Sequence, residues 1–386
     1  MPATGTYFDA GGREDCRMSE GELLKTALHG KHVAMGAKMV AAAGWEMPLV
    51  FSSVSEEVRA VRSRAGVADV SHGGRIRIRG DGAVDMLERL CTGDVVHQED
   101  DTALYTLLCN ERGGVIDHGF LLRLEGFWVL TCSPECREKV LAHLQAAAAD
   151  FDAKVDDQTE RTSQILVTGP GAPAILDAVL PMKVSPLPPL AARTGSLMIA
   201  RYIAMRTSPV SLWGVEVILT NMLAGQAWRF ITEKGGDNRI APVGLVALDV
   251  LRVEAGLPRY GRELNETIDP ITAALERAVD FGHDFLGRDA IKKIRDKGAA
   301  RKLVGMMLEG SPSGQPVGGT IPGQGTPVFD KDGVEVGAVT SATFSPTLNK
   351  VIAMAYVAGE ASVVGQVLSV GQVRASVVEF PFVSPP

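Results

Sequence analysis

The stretch Asn110-Glu111-Arg112-Gly113-Gly114-Val115-Ile116-Asp117-His118-Gly119-Phe120-Leu121-Leu122-Arg123 decides how the chain is read. Its first five residues predict a hairpin turn, because glycine tolerates the positive φ that such turns need. The apolar run that follows predicts a strand with Asp117 and His118 at its mouth. Side chains alternate between the faces of a strand, so only one of the two can point inward. An inward ionisable group there can have its pKa tuned by burial, which suits acid-base work. From the residues alone the plainer reading is favoured, in which Asp117 closes the turn and His118 lies on the surface.

Working outward, Thr102 to Asn110, Gly119 to Leu124 and Phe127 to Thr131 predict a meander around this turn, and Arg75-Ile76-Arg77-Ile78-Arg79 alternates strictly. Val67 to His72 also reads as a strand. Helices are expected over Leu23–Met39, Ser53–Ala65, Ala83–Cys91, Glu135–Ala149, Pro173–Val179, Ala224–Lys234, Val250–Gly256 and Arg288–Lys297. Further strands are expected at 165–167, 197–205 and 215–220. Ala43 to Pro48 reads as a loop bracketed by Gly44 and Pro48. The Pro-rich run Pro181–Pro189 reads as a surface connection. After Lys297-Gly298, short strands separated by Gly, Pro and Asp predict a small β-barrel. The expected organisation is a loose tail over 1–22, a mixed α+β region of two interleaved domains over 23–298, and a barrel over 299–386.

Composition bounds the function. At 386 residues the chain can hold two or three domains, and 46% apolar with 22% charged residues is ordinary for a globular protein. A formal net charge of −7 and a pI near 5.6 argue against an extended nucleic-acid face. Five cysteines (Cys16, Cys91, Cys109, Cys132, Cys136) form an odd set without a CxxC pair, which points to a reducing, cytoplasmic setting. Cys132 and Cys136 with His143 fit no common zinc spacing, so no metal is expected. Met1 to Glu22 lacks the apolar core of a signal peptide, and no apolar run reaches the ~20 residues of a membrane span.

The order of short motifs adds a further layer. Gly36-Ala37-Lys38-Met39-Val40, Ala43 to Pro48, Asp69-Val70-Ser71-His72, Asn110 to Asp117, Leu251 to Leu257 with Tyr260-Gly261, and Asp284 to Arg288 occur in sequence. In the barrel, Val339-Thr340-Ser341 and Phe344 to Leu348 follow. From about Leu28 to Phe382 the chain thereby resembles the aminomethyltransferase family, the T-protein of the glycine cleavage system and its folate-dependent demethylase relatives. The resemblance implies a three-domain ring with a C-terminal β-barrel, in which tetrahydrofolate lies in the central channel and accepts a one-carbon unit. The donor it implies is either an aminomethyl group on a lipoyl carrier protein or a methyl group on a small molecule.

The chain departs from the family pattern at several positions. His118 stands where the resemblance places a second, catalytic carboxylate after Asp117. Leu212 stands for a pterin-contacting Glu and Leu248 for an Arg, while Asp249 remains. Thr272 and Arg277 replace a Glu and a Trp, Gly73 a Met, and Ser133 an Asn; the arginine after Pro381-Phe382 is missing. Losing a Glu and an Arg together leaves an apolar site that can be stable, whereas losing one would strand a buried charge. The expected catalytic pair is therefore His118 with Asp117, and the expected folate contacts are Tyr105, Phe120, Ser133, Trp213 and Tyr260.

The function expected from all this is tetrahydrofolate-dependent one-carbon transfer from a small N- or O-methylated donor, with His118 as acid-base group. Its alternatives are the glycine cleavage T-protein reaction, a folate-independent reaction through His118, or a binding scaffold without catalysis. Neither nucleic acid nor membrane is an expected partner.

Overall fold

The computed structural model describes residues 22–197, 200–208, 210, 212–235, 239–310 and 321–384; the expected tail, including Cys16, falls outside them apart from residue 22. The opening stretch forms the hairpin that its glycines require. Thr102–Cys109 pairs antiparallel with Val115–Leu124, and the turn between them closes through Gly113 N–H donating to the Asn110 carbonyl at 2.8 Å, with Gly113 at φ +83°. Asn110 Oδ1 accepts from the N–H groups of Arg112 and Gly114, both at 3.0 Å. The strand continues to Phe127–Cys132, then Gly74–Arg79, then Lys154–Asp157, giving a five-stranded sheet. The helices Ala83–Leu90 and Arg137–Ala148 cover it. Met86, Leu87, Val140 and Leu144 pack on Ile76, Ile78, Leu121 and Leu130 in one buried core.

A second, six-stranded sheet runs Ala192–Leu197, Ala200–Met205, Gly214–Thr220, Thr162–Thr168, Gly66–Asp69 and Ala241–Pro242. Helices Ala172–Val179 and Asn221–Gly235 pack on one of its faces, around Ile165, Val167, Val215, Val217 and Trp228. Helices Val54–Ser63 and Leu245–Glu254 contribute Val58, Val61, Val250 and Leu251 to a separate core with Ala68 and Leu166. The chain passes between the two sheets at 70–73 and again at 158–161, so the five-stranded sheet is one continuous piece of sequence set between the strands Gly66–Asp69 and Thr162–Thr168 of the six-stranded sheet.

The C-terminal strands close into a six-stranded barrel in the order Arg301–Leu308, Lys350–Ala358, Glu335–Ser345, Pro327–Phe329, Val367–Val370, Val373–Val378. Met306, Val339, Ala353, Ala355, Leu368 and Val377 fill it. The barrel is tied to the helix Leu245–Glu254 by buried polar contacts. Glu254 accepts from Arg62 Nε and Nη2 at 2.9 and 2.6 Å and from Ser345 Oγ at 2.5 Å.

Three expectations need correction. The helix expected over Leu23–Met39 exists only as His29–Ala34, because Gly36 at φ +78° turns the chain into the strand Lys38–Ala42. Ala43–Pro48 is not a loop: Ala43 and Gly44, at φ 47° and 81°, form a tight turn, and Trp45–Val50 is a strand. Pro48 is tolerated because the parallel neighbour Leu24–Lys25 pairs only with Trp45 and Glu46, leaving that side of Pro48 without a ladder partner to disappoint. The central helix starts at Leu245, five residues before the expected Val250.

Candidate active site

A cavity of about 270 Å³ lies where the two sheets and the central helix meet. The crossing loop supplies His72, Gly73 and Gly74; the meander supplies His118, Gly119, Phe120, Thr131 and Cys132; the six-stranded sheet supplies Gln164 and Glu216; the central helix supplies Leu248, Asp249 and Arg252. Its volume is near the lower end for small-molecule sites.

Alternation along Val115–Leu124 separates Asp117 from His118, as the sequence implied. Cross-strand pairing sets His118 opposite Leu107 and Phe120 opposite Tyr105, so these four share one face. His118 reaches the cavity wall, and its Nδ1 is hydrogen-bonded to Tyr105 Oη at 2.9 Å, the rings meeting edge to face at 5.9 Å. Burial holds the imidazole below its ordinary pKa of 6.5, although the carboxylates of Asp117, Glu135 and Glu263 pull the other way. Burial also pushes the Tyr105 phenol up, so it keeps its proton. When the phenol donates to Nδ1, the imidazole proton resides on Nε2; in the other tautomer Nε2 is a base. Asp117 is buried on the opposite face. Its Oδ2 accepts from the Ser133 backbone N–H at 2.8 Å, while its Oδ1 has no partner among the described residues. Burial raises its pKa, against the attraction of His118 and the bonds from Ser133.

The close packing of this wall depends on Gly119. A Cβ there would sit 1.8 Å from the Thr131 carbonyl oxygen, so Gly119→Ala must push the two strands apart. The expected cost is about 1–3 kcal/mol, read as a lowered midpoint in urea denaturation; an unchanged midpoint would show that the strands yield freely.

The structure brings together His118, Tyr105 and Phe120, of which His118 and Phe120 line the cavity, and places Asp117 with Ser133 on the other face of the strand. It does not bring in Trp213 or Tyr260. Trp213 faces the helix-covered core of the six-stranded sheet and carries the Arg206 guanidinium 5.3 Å from its ring centroid. Tyr260 accepts a bond from Lys139 Nζ at 2.6 Å, away from the cavity. The geometry thus offers no support for the ligand-stacking role expected of Trp213. Among the described residues no group of three His, Cys, Asp or Glu could hold a metal ion. The thiols of Cys91 and Cys109 are buried and pushed up to about 12 by that burial. No helix among those residues is long and apolar enough to cross a membrane.

The sequence reading missed Glu216. It stands in the run Val215-Glu216-Val217-Ile218-Leu219, and its carboxyl is buried against the cavity. Oε1 accepts from Thr207 Oγ1 at 2.8 Å and Oε2 from Gln164 Nε2. Burial raises its pKa, opposed by these two bonds and by the charge of Arg75. A lone acid in an otherwise apolar strand was the available signal. This corrects the expectation of an apolar pocket. Leu212 packs with Val210, Leu248 and Leu251 in an apolar cluster that reaches the cavity through Val210 and Leu248, but Glu216 and the central helix keep the site polar. Asp249 accepts from Arg252 Nε at 2.9 Å. Burial would raise its pKa, but Arg252 and Arg259 hold it below the usual carboxylate range. Arg252 is held in turn by Glu263 at 2.9 Å and by Ser341 of the barrel at 2.7 Å. His72 is half-buried at the cavity wall, and desolvation lowers its pKa to about 4, so it is neutral at pH 7.

Sequence models of two domains match in order: the GCVT N-terminal domain over residues 28–283 and the glycine cleavage T-protein C-terminal barrel domain over residues 301–384. The chain belongs to the aminomethyltransferase family. An aminomethyltransferase of Rubrobacter xylanophilus is 37% identical over 346 residues, 89% of each chain. That of Geobacillus kaustophilus is 34% identical over 93% of this chain and 98% of its own. The crystal structure of the glycine cleavage system aminomethyltransferase T from Bartonella henselae superposes with a TM-score of 0.85 at 30% identity, covering 94% of this chain and 98% of that one. The aminomethyltransferase fold, with its barrel closing the C-terminal end, is therefore the fold of this protein, and the family is one of one-carbon transferases.

Proposed function

We propose that this protein moves a one-carbon unit onto tetrahydrofolate, with an aminomethyl group as the unit and a lipoyl carrier as its source. The names of its relatives support the aminomethyl reading, and the cavity's own chemistry supports folate. The observation that carries the proposal is the buried Glu216 carboxyl facing a cavity that is also lined by His118, whose Nδ1 is bonded to Tyr105. The amino-pyrimidine edge of a pterin presents adjacent N–H donors, and a buried carboxyl within a low-dielectric wall is their natural acceptor. Phe120 offers a flat apolar face, and Val70, Val210 and Leu248 exclude water on one side. Bound there, tetrahydrofolate would supply a nucleophilic nitrogen. The chain's part is to orient the ring through Glu216 and Gln164, and to hold or take a proton at His118 Nε2 while Tyr105 fixes the other nitrogen.

One feature favours a second reading, a small N- or O-methylated donor. Where the resemblance places a carboxylate, His118 is a neutral group at pH 7, better matched to an uncharged donor than to an aminomethyl cation. Calorimetric titration with tetrahydrofolate tests the shared part: saturable binding is expected, weakened by Glu216→Gln, and no heat at high protein concentration overturns it. Turnover with an aminomethylated lipoyl carrier, compared with small methyl donors, then decides between the two.

A further inference from the structure

Arg75 is the largest completely buried side chain among the described residues, and it does not itself line the cavity. A buried guanidinium usually finds a carboxylate, because desolvating an unpaired charge is costly. Among the described residues this one hydrogen-bonds to none. Nε donates to Thr162 Oγ1 at 2.8 Å; Nη1 donates to the Gly73 carbonyl at 2.6 Å and to Gln164 Oε1 at 3.4 Å; Nη2 donates to the carbonyls of Ser71, Thr159 and Thr162. Burial lowers its pKa to about 10, with Asp69 and Asp157 acting only through space, so it remains charged at pH 7.

These partners lie on both crossings between the sheets, Ser71–Gly73 on one and Thr159–Thr162 on the other. One cation therefore fastens the two connections at the back of the cavity. Its contact with Gln164 has a sharper effect. An amide side chain can be turned over, exchanging its oxygen and nitrogen, at little steric cost. A guanidinium accepts nothing, so Arg75 fixes the Gln164 oxygen toward itself and the NH2 group toward Glu216. We propose that Arg75 is a positioning residue that, through the Gln164 amide, keeps Glu216 supplied with a hydrogen-bond donor and thereby sets the acceptor character of the cavity wall. This goes beyond the proposed activity and does not depend on which ligand the cavity takes.

Without Arg75 the amide is free to turn its oxygen toward Glu216, and two facing acceptors can coexist only if Glu216 takes up a proton. The other titratable or charged groups that line this cavity are His72, His118, Cys132, Glu135, Asp249, Arg252 and Arg259. The test is carboxyl 13C NMR titration of Glu216 in the ligand-free protein, assigned with Glu216→Gln. In Arg75→Lys, which keeps a charge but lacks the planar fork, the Glu216 titration is expected to move up by about one pH unit. Gln164→Leu, which leaves Arg75 in place, should move it in the same direction. Thr162→Val, which takes away one Arg75 acceptor and spares Gln164, should leave it in place. A Glu216 titration unchanged in folded Arg75→Lys overturns the proposal; should that variant not fold, an unchanged titration in Gln164→Leu does so. Because no ligand is present, this result is separate from the fate of the folate reading.

Discussion

His118→Ala is expected to lower kcat for one-carbon transfer by about 10²- to 10⁴-fold, the usual contribution of a positioned acid-base group, with the thermal transition left intact. The side chain is half-buried at a cavity wall and its removal leaves Tyr105 Oη facing a space that water can fill, so stability has little to lose. The pH dependence carries the sign. Burial lowers the His118 pKa below 6.5, so the neutral base persists through pH 7 and is lost only as pH falls through the lowered value. An acid limb of kcat/KM below pH 6.5 should be present in the native protein and absent from the residual activity of the variant. If that limb persists unchanged in His118→Ala, the titrating group lies elsewhere, with Asp117, whose pKa burial raises, next in line.

For stability, the largest single loss is expected at Glu254. Its side chain is fully buried, and it is the only carboxylate that bonds Arg62 among the described residues, while it also accepts from the buried Ser345 of the barrel. Glu254→Ala removes the acceptor and leaves a largely buried guanidinium without its carboxylate. Breaking one side of such a pair costs about 3–5 kcal/mol, toward the lower end here because Arg62 keeps 12% of its side-chain surface in water. Urea denaturation should show the midpoint falling with the slope unchanged. Glu254→Gln, which keeps an acceptor and the shape, should lose less. A loss below about 1 kcal/mol in the alanine variant, the range of exposed pairs, would show that the Glu254 contacts add little to the hold on the barrel.

The parts of the fold that could be read in the sequence are those where one local signal suffices. Strict alternation in Arg75–Arg79 and the glycine-rich turn at Asn110–Gly114 each specify their own structure, and both appear as expected. The hairpin at Ala43–Gly44 was misread because a proline usually marks a break, and only the partial reach of Leu24–Lys25 makes Pro48 harmless. The site divides in the same way. His118 was found through its neighbours in sequence, Asp117 and the turn. Glu216 was not, because what makes it a site residue is the cavity on one side and Gln164 on the other, 52 residues away in the chain. Trp213 was overrated since its sequence position says nothing of which face of the sheet it takes.

The double passage of the chain between its two sheets has a thermodynamic consequence. A molecule in the cavity touches residues from the first crossing, both sheets and the central helix, so it can be held fully only while all of them are in register. Occupancy then works like mortar between courses of brick. Its free energy, RT ln(1 + [L]/Kd) for one site, is shared by the whole assembly of sheets and helix, and local opening of either half must first give up the ligand.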